Sequence, residues 1–177
     1  MSATYDLAAI NTMERNAFTA AFGGIFEHFP EAAEGAWARR PFADMTALHD
    51  AMMAVVQRLD EPGRKAFLNG HPPLSGRALR AGTMTTDSTD EQKSAGLDAM
   101  SARDEAQLDA LNEAYACRHG FPFIICVRHY TREGIFAELN KRLSRSTPQE
   151  LDEALSQIAS ITRARLAARV AASTCAA

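Results

Sequence analysis

The chain is predicted to be all-α, a single-domain bundle of about seven to nine helices over residues 1–177, and three observations predict it. Apolar residues recur three and four apart in segment after segment, no segment holds a period-two alternation, and capping residues stand ahead of most of the apolar stripes. Helices that each carry one apolar stripe must bury it against one another, which is the layered arrangement of a helical bundle.

Taken in chain order, Asn11-Thr12-Met13-Glu14 reads as the cap of a helix bearing Phe18 and Phe22 and broken by Gly23-Gly24. Pro30 can begin a short helix through Trp37. Asp44-Met45-Thr46 opens a segment in which Leu48, Met52, Val55, Val56 and Leu59 form a stripe. Glu61-Pro62 starts a shorter helix that Gly70 should end, and Pro72-Pro73 prevents its resumption, so His71 is expected on a rigid turn. Ser88-Thr89-Asp90-Glu91 fits a capping box, with the serine at the cap and the glutamate reaching back to it. Ser101 can cap a helix carrying Leu108, Leu111 and Tyr115 and stopping near Gly120. Thr131 precedes a stripe of Ile135, Leu139 and Leu143. Finally Thr147-Pro148-Gln149-Glu150 combines a cap, an early proline and a capping-box glutamate ahead of Leu151, Leu155, Ile158, Ile161 and Leu166. The exception is Phe121 to Val127, β-branched and aromatic yet without a partner strand. It is expected to be a buried extended segment or the start of a helix, whose backbone groups find partners elsewhere.

Composition narrows the function. A chain with 46% hydrophobic and 23% charged residues is globular rather than disordered, and 177 residues suffice for one core but not comfortably for two. A net charge of -3 argues against a general nucleic-acid surface; Arg163, Arg165 and Arg169 would spread over more than one helical face. The longest strongly apolar run, Phe121 to Val127, is too short to span a membrane. The first residues lack a secretory pattern and the last, Ser173 to Ala177, form no peroxisomal address, so a cytoplasmic location is expected. Cys117, Cys126 and Cys175 make no Cys-x-x-Cys pair, which fits a reducing compartment. No metal-ligand spacing, Gly-rich phosphate loop or Gly-x-Ser-x-Gly elbow occurs, so neither a metal site, a nucleotide enzyme nor a common serine hydrolase is expected.

The candidate chemistry rests on His71 and Glu91, an imidazole and a carboxylate of the kind proton transfer needs. Each has an ordinary alternative, His71 as a turn residue and Glu91 as a helix cap. A helix start also presents unpaired N–H groups that can hold an anion, so capping and substrate binding are compatible.

Read together, Phe22-Gly23-Gly24-Ile25-Phe26-Glu27-His28, Arg40-Pro41-Phe42, His71-Pro72, Ser88-x-x-Glu91-Gln92-x-x-Ala95-Gly96-Leu97, Leu111-Asn112-x-x-Tyr115 and Gly120-Phe121-Pro122-Phe123-Ile124 resemble the 2-oxo-4-hydroxy-4-carboxy-5-ureidoimidazoline (OHCU) decarboxylases, in order from about residue 15 to 170. The resemblance implies a cofactor-independent, all-α enzyme, often homodimeric, that converts OHCU to (S)-allantoin in urate degradation. It places the proton-donor histidine on His71, its acidic partner on Glu91 and the substrate-binding arginine on Arg165. Pro72, the turn Ser88, Thr89, Asp90, Glu91 and Gln92, and the segment Phe123, Ile124, Ile125, Cys126 and Val127 fall on the family's other substrate-contacting stretches. The chain departs from the family at Phe29-Pro30-Glu31, where a serine usually precedes the proline and a tryptophan follows, and at Met84, where leucine is common. Two other readings stand beside this one: a decarboxylase of the same fold acting on a related ureido or hydantoin-like acid, and a non-catalytic all-α interaction module.

Overall fold

The computed structural model describes residues 4–82 and 84–171; Cys175 and the terminal residues considered as address signals lie outside them. Among the described residues there are ten α-helices and no strand: α1 (Leu7–Thr12), α2 (Arg15–Phe22), α3 (Glu31–Trp37), α4 (Met45–Gln57), α5 (Glu61–Asn69), α6 (Gly76–Ala81), α7 (Thr86–Ser94), α8 (Ala102–His119), α9 (Arg132–Arg142) and α10 (Thr147–Ala167), with 3-10 turns at Leu97–Ala99 and Val127–His129. The all-α class holds. The number exceeds the expected seven to nine because α1 and α6 have six residues each, fewer than two turns, too short to display a periodic stripe. No helix among the described residues is long and apolar enough to cross a membrane.

The chain divides into two compact units, residues 4–64 with 159–171, and residues 65–158. In the first, α3 packs on α2 and α4. Small residues permit this: a Cβ on Gly35 would lie 2.6 Å from Val55 Cγ2, and Ala32, Ala33 and Ala36 are fully buried beside it. The rings of Phe18 and Phe22 of α2 meet at a tilt, their centroids 4.9 Å apart, and Ile10, Leu48, Met52 and Leu166 are fully buried in the same unit. The expected cap at Asn11 does not form. Its side chain instead brackets the Phe42 backbone, accepting from Phe42 N at 2.7 Å and donating to Phe42 O at 2.9 Å, and α2 starts after Glu14 without a side-chain cap. A two-sided tertiary pairing satisfies both ends of the amide and outcompetes a single local bond.

Also in this unit, His49 of α4 meets Thr162 of α10, Nε2 to Oγ1 at 2.9 Å. The Thr162 hydroxyl donates to Ala159 O, so it accepts from the imidazole and Nε2 carries the hydrogen.

In the second unit, α8 packs on α9, while the Leu97–Ala99 turn packs on α6 and α7. Ser101 and Thr131 cap α8 and α9 as expected, and Gly120 closes α8 at φ 82 in the left-handed region. The capping box at the start of α10 is displaced by one residue: Gln149 Oε1 accepts from both the backbone and the hydroxyl of Ser146, at 3.2 and 2.9 Å. Glu150 therefore does not cap. It is wholly buried, accepting from Arg142 Nε at 2.8 Å and Tyr115 Oη at 2.6 Å through Oε2, and from Arg145 Nη1 at 3.3 Å through Oε1. Burial first, then the bond to Glu150, pushes the Tyr115 hydroxyl well above its ordinary pKa, so it stays a donor.

Glu150→Ala would leave the Arg142 charge buried and unpaired and is expected to destabilise the fold by about 3–5 kcal/mol, read by urea unfolding. The buried histidines add a dependence on pH. Burial, ahead of opposing attraction from Asp50, holds the His49 pKa below its ordinary value, and burial likewise lowers that of His119. The unfolded chain then binds these protons more readily than the folded one. Stability should be complete above the ordinary imidazole pKa of about 6.5 and decline as pH falls through it toward the folded values. Unfolding of the wild type and His49→Gln between about pH 7.5 and 5.5 should give a shallower decline in the variant; equal slopes would remove His49 from this account.

Candidate active site

α5 ends at Asn69 and its last turn continues into His71, whose backbone N–H donates to Leu68 O at 3.0 Å. The imidazole is buried, edge-on to the ring of Phe67 at 5.0 Å, and Nδ1 lies 3.2 Å from the Phe67 carbonyl oxygen. A carbonyl only accepts, so Nδ1 carries a hydrogen and Nε2 is the nitrogen that exchanges the second proton. The expectation of a fixed turn is met, and the sequence Pro72-Pro73 is only part of the reason. Gln92 Oε1 accepts from Ser75 N at 3.1 Å, its amide nitrogen donates to Pro73 O at 3.4 Å, and Asn112 Nδ2 donates to Leu74 O at 2.8 Å. Helices α7 and α8 thus clamp the strap that follows His71.

The capping box expected at Ser88 is a correction. Thr85 is the cap, its hydroxyl accepting from Ser88 N at 3.4 Å, so Ser88 is the third residue of α7 and Glu91 lies inside the helix. Thr85 offers the same cap chemistry three residues earlier, and the helix takes the longer option. Ser88 is then in the first turn of α7, while Glu91 lies past it, away from the helix start. What the shift produces is a polar face: Ser88, Glu91 and Gln92, spaced three and four apart, are the buried residues of α7. Thr89 is half-buried and Asp90 is exposed, turned from that face by the helical repeat. Gln92 also donates to Met84 Sδ at 3.2 Å, so the departure at Met84 touches a residue of the candidate site.

The segment Phe123 to Val127 is buried throughout and has no strand partner among the described residues, as expected of it. Side chains meet two of its backbone groups: Arg142 Nη1 donates to Ile124 O at 2.9 Å, and Cys126 N donates to Gln157 Oε1 at 2.8 Å. The guanidinium of Arg142 also lies 4.5 Å over the Phe123 ring. The turn Val127–His129 that ends the segment packs on α7. The second unit therefore brings together the His71 strap, half-buried Pro72 included, the polar face of α7 and this segment.

Arg165 lies in the first unit. It is buried, and its Nη1 donates to Glu27 Oε2 at 2.9 Å and to Ile25 O at 3.4 Å. Glu27 was legible only as a member of the Phe22 to His28 motif, and nothing in its spacing announces a buried partner for Arg165. Asn112 was likewise visible only as a motif residue, although a polar residue inside the stripe of α8 is the signal that could have found it.

Comparison with known proteins adds an independent line. The model of the OHCU decarboxylase family matches residues 11–167. The 2-oxo-4-hydroxy-4-carboxy-5-ureidoimidazoline decarboxylase of Xenopus laevis is 35% identical over 161 residues, 91% of this chain and 92% of that protein. A Homo sapiens protein described as a putative enzyme of the same name is 36% identical over 162 residues, 92% of this chain and 94% of its own. Among solved structures, a crystal structure of (S)-allantoin synthase is similar with a TM-score of 0.75 at 23% identity, over 94% of this chain and 54% of that one; at that identity it speaks for the fold.

If the strap is held as described, Asn112→Leu should leave the Leu74 carbonyl without its donor and lower stability by about 1–3 kcal/mol, while speeding amide exchange from His71 to Ser75. Exchange unchanged in the strap would show that Asn112 does not restrain it.

Proposed function

The chain belongs to the OHCU decarboxylase family, and on that premise we propose that it decarboxylates OHCU to (S)-allantoin in urate degradation, with His71 and Glu91 as the acid/base pair and Arg165 binding substrate. The carbon that loses carbon dioxide bears a hydroxyl and adjoins a carbon doubly bonded to nitrogen. Breaking the C–C bond sends its electron pair into that C=N, and the ring nitrogen takes up a proton. The hydroxyl then gives up its proton as its carbon becomes a carbonyl, and the neighbouring carbon gains a proton and becomes the stereocentre. The substrate is its own electron sink, so this route calls on no cofactor.

What the protein must supply is orientation, charge stabilisation and a proton delivered to one face. The observation that carries the reading is a buried imidazole, oriented through Nδ1 by the Phe67 carbonyl, in the same unit as a helix whose buried face is polar and includes a carboxylate. Glu91 orients or charges the imidazole, and Nε2 of His71 delivers the stereodetermining proton. Arg165 suits the carboxylate or ureido oxygens, since a planar fork of donors recognises both and never acts as a base. Pro72, Ser88, Gln92 and the Phe123 to Val127 segment complete the proposed substrate contacts, Ile125 among them, while Thr89 and Asp90, turned from the buried face of α7, are left out of them; the amide groups of that segment match a flat ring bearing amide-like edges. A homodimer in the cytoplasm belongs to the same reading.

The test generates OHCU in situ from urate and follows allantoin by circular dichroism. Wild type should accelerate decay over the spontaneous rate and enrich the (S) product, and His71→Asn should fold normally yet lose both effects. A His71→Asn protein that yields (S)-allantoin at the wild-type rate would sink the proposed role, and decarboxylation of another ureido acid with none of OHCU would favour a different substrate within this fold.

A further inference from the structure

We propose that Glu27 is a positioning residue for the reaction, holding the guanidinium of Arg165 in the rotation that binds substrate; this rests on the reading of Arg165 as a substrate-binding residue. The pair is nearly closed to solvent, with Glu27 2% and Arg165 7% exposed. Both hydrogens of Arg165 Nη1 are directed, one to Glu27 Oε2 at 2.9 Å and one toward Ile25 O at 3.4 Å. A guanidinium is planar and rigid, so fixing one corner through two acceptors fixes where its remaining donors point.

Two further observations separate positioning from plain stabilisation. A buried ion pair is a poor source of stability, because desolvating both charges offsets most of their attraction. The backbone beside Glu27 is also held in an unfavourable conformation: His28, which follows it, is a non-glycine residue at φ 49. His28 is exposed while Ile25, Phe26 and Glu27 are buried, so the left-handed residue turns the chain outward immediately after the carboxylate has been directed inward. Strained backbone maintained next to a buried charge is the pattern expected where geometry serves a site. The departure at Phe29-Pro30-Glu31 falls directly after the turn that aims Glu27.

The experiment measures kcat and KM for OHCU, the enantiomeric composition of allantoin and the thermal midpoint for wild type, Glu27→Gln, Glu27→Asp, Arg165→Lys and the double variant Glu27→Gln/Arg165→Lys. Glu27→Gln keeps a hydrogen-bond acceptor and removes the charge. It should fold and lose about ten-fold or more in kcat/KM, chiefly through KM, as expected when an oriented contact is loosened. Glu27→Asp should lose less, and it carries the test if the glutamine variant does not fold. The discriminating readout is coupling: the double variant should be no worse than Arg165→Lys alone, because Glu27 acts through Arg165. A lowered thermal midpoint with wild-type kcat/KM in Glu27→Gln, or losses that multiply in the double variant, would overturn the positioning role while leaving Arg165 in place. Wild-type kinetics in Arg165→Lys would instead overturn the reading of Arg165 and the proposal with it.

Discussion

The buried carboxylate of Glu150 is the constraint on which the rest of the second unit depends. A charge taken wholly out of water must be met by donors, and here three elements supply them: Tyr115 from α8, Arg142 from α9, and Arg145 from the turn before α10. Each donor is useful only if its helix is in register, so the cluster specifies how α8, α9 and α10 pack as well as holding them. The same Arg142 reaches on to Ile124 O and lies over Phe123. A stretch of chain with no ladder of its own is thereby given hydrogen-bond partners in the interior, which a buried coil requires. Arg142 Nη2 remains buried without a hydrogen bond, and the Phe123 ring beneath the guanidinium supplies part of the compensation.

Around that scaffold the polar groups of the candidate site are held by other polar groups. Gln92 belongs to the buried face of α7 that also carries Ser88 and Glu91, and its amide spends both ends on the backbone that follows His71. A helix with that face is a poor contributor to a hydrophobic core. Its buried side chains repay their desolvation only through specific partners, and such networks are worth retaining where geometry matters more than stability. Within the second unit, apolar burial is carried by Phe121 to Val127 and the stripes of α8 to α10, and the buried face of α7 is polar.

What the sequence made legible was local. Asp44, Ser101 and Thr131 cap helices because each has its partner amide three residues on, and Gly120 ends α8 because it alone there accepts a left-handed turn. His71 on its turn and the buried Phe123 to Val127 segment were readable for the same reason. The misplacements share one cause. Ser88 lost the cap to Thr85, and the box at Glu150 moved to Ser146 and Gln149, because a capping pattern can be satisfied at neighbouring positions, and where a buried partner competes for the side chain it decides between them. Glu150 leaves the cap for Arg142 and Tyr115; Asn11 leaves it for Phe42. No periodicity encodes those partners, which lie from eight to thirty-five residues away.

The two buried Arg–Glu pairs show how one chemical motif serves two ends. At Glu150 both carboxylate oxygens receive donors, and every donor belongs to a helix or to the turn beside one; the carboxylate is a hub, and what it fixes is packing. At Glu27 the carboxylate comes from a connection between helices, ends on an arginine that a second acceptor from the same connection also engages, and is followed by a residue in the left-handed region. A hub needs no strained connection, since its donors are carried by helices and the turn beside one, which already fix their directions. A connection that must aim one carboxylate at one corner of a guanidinium has no such support, and it holds its aim through the conformation of His28. Saturation with donors marks the first pair as architectural. Directed strain marks the second as an instrument for orienting Arg165.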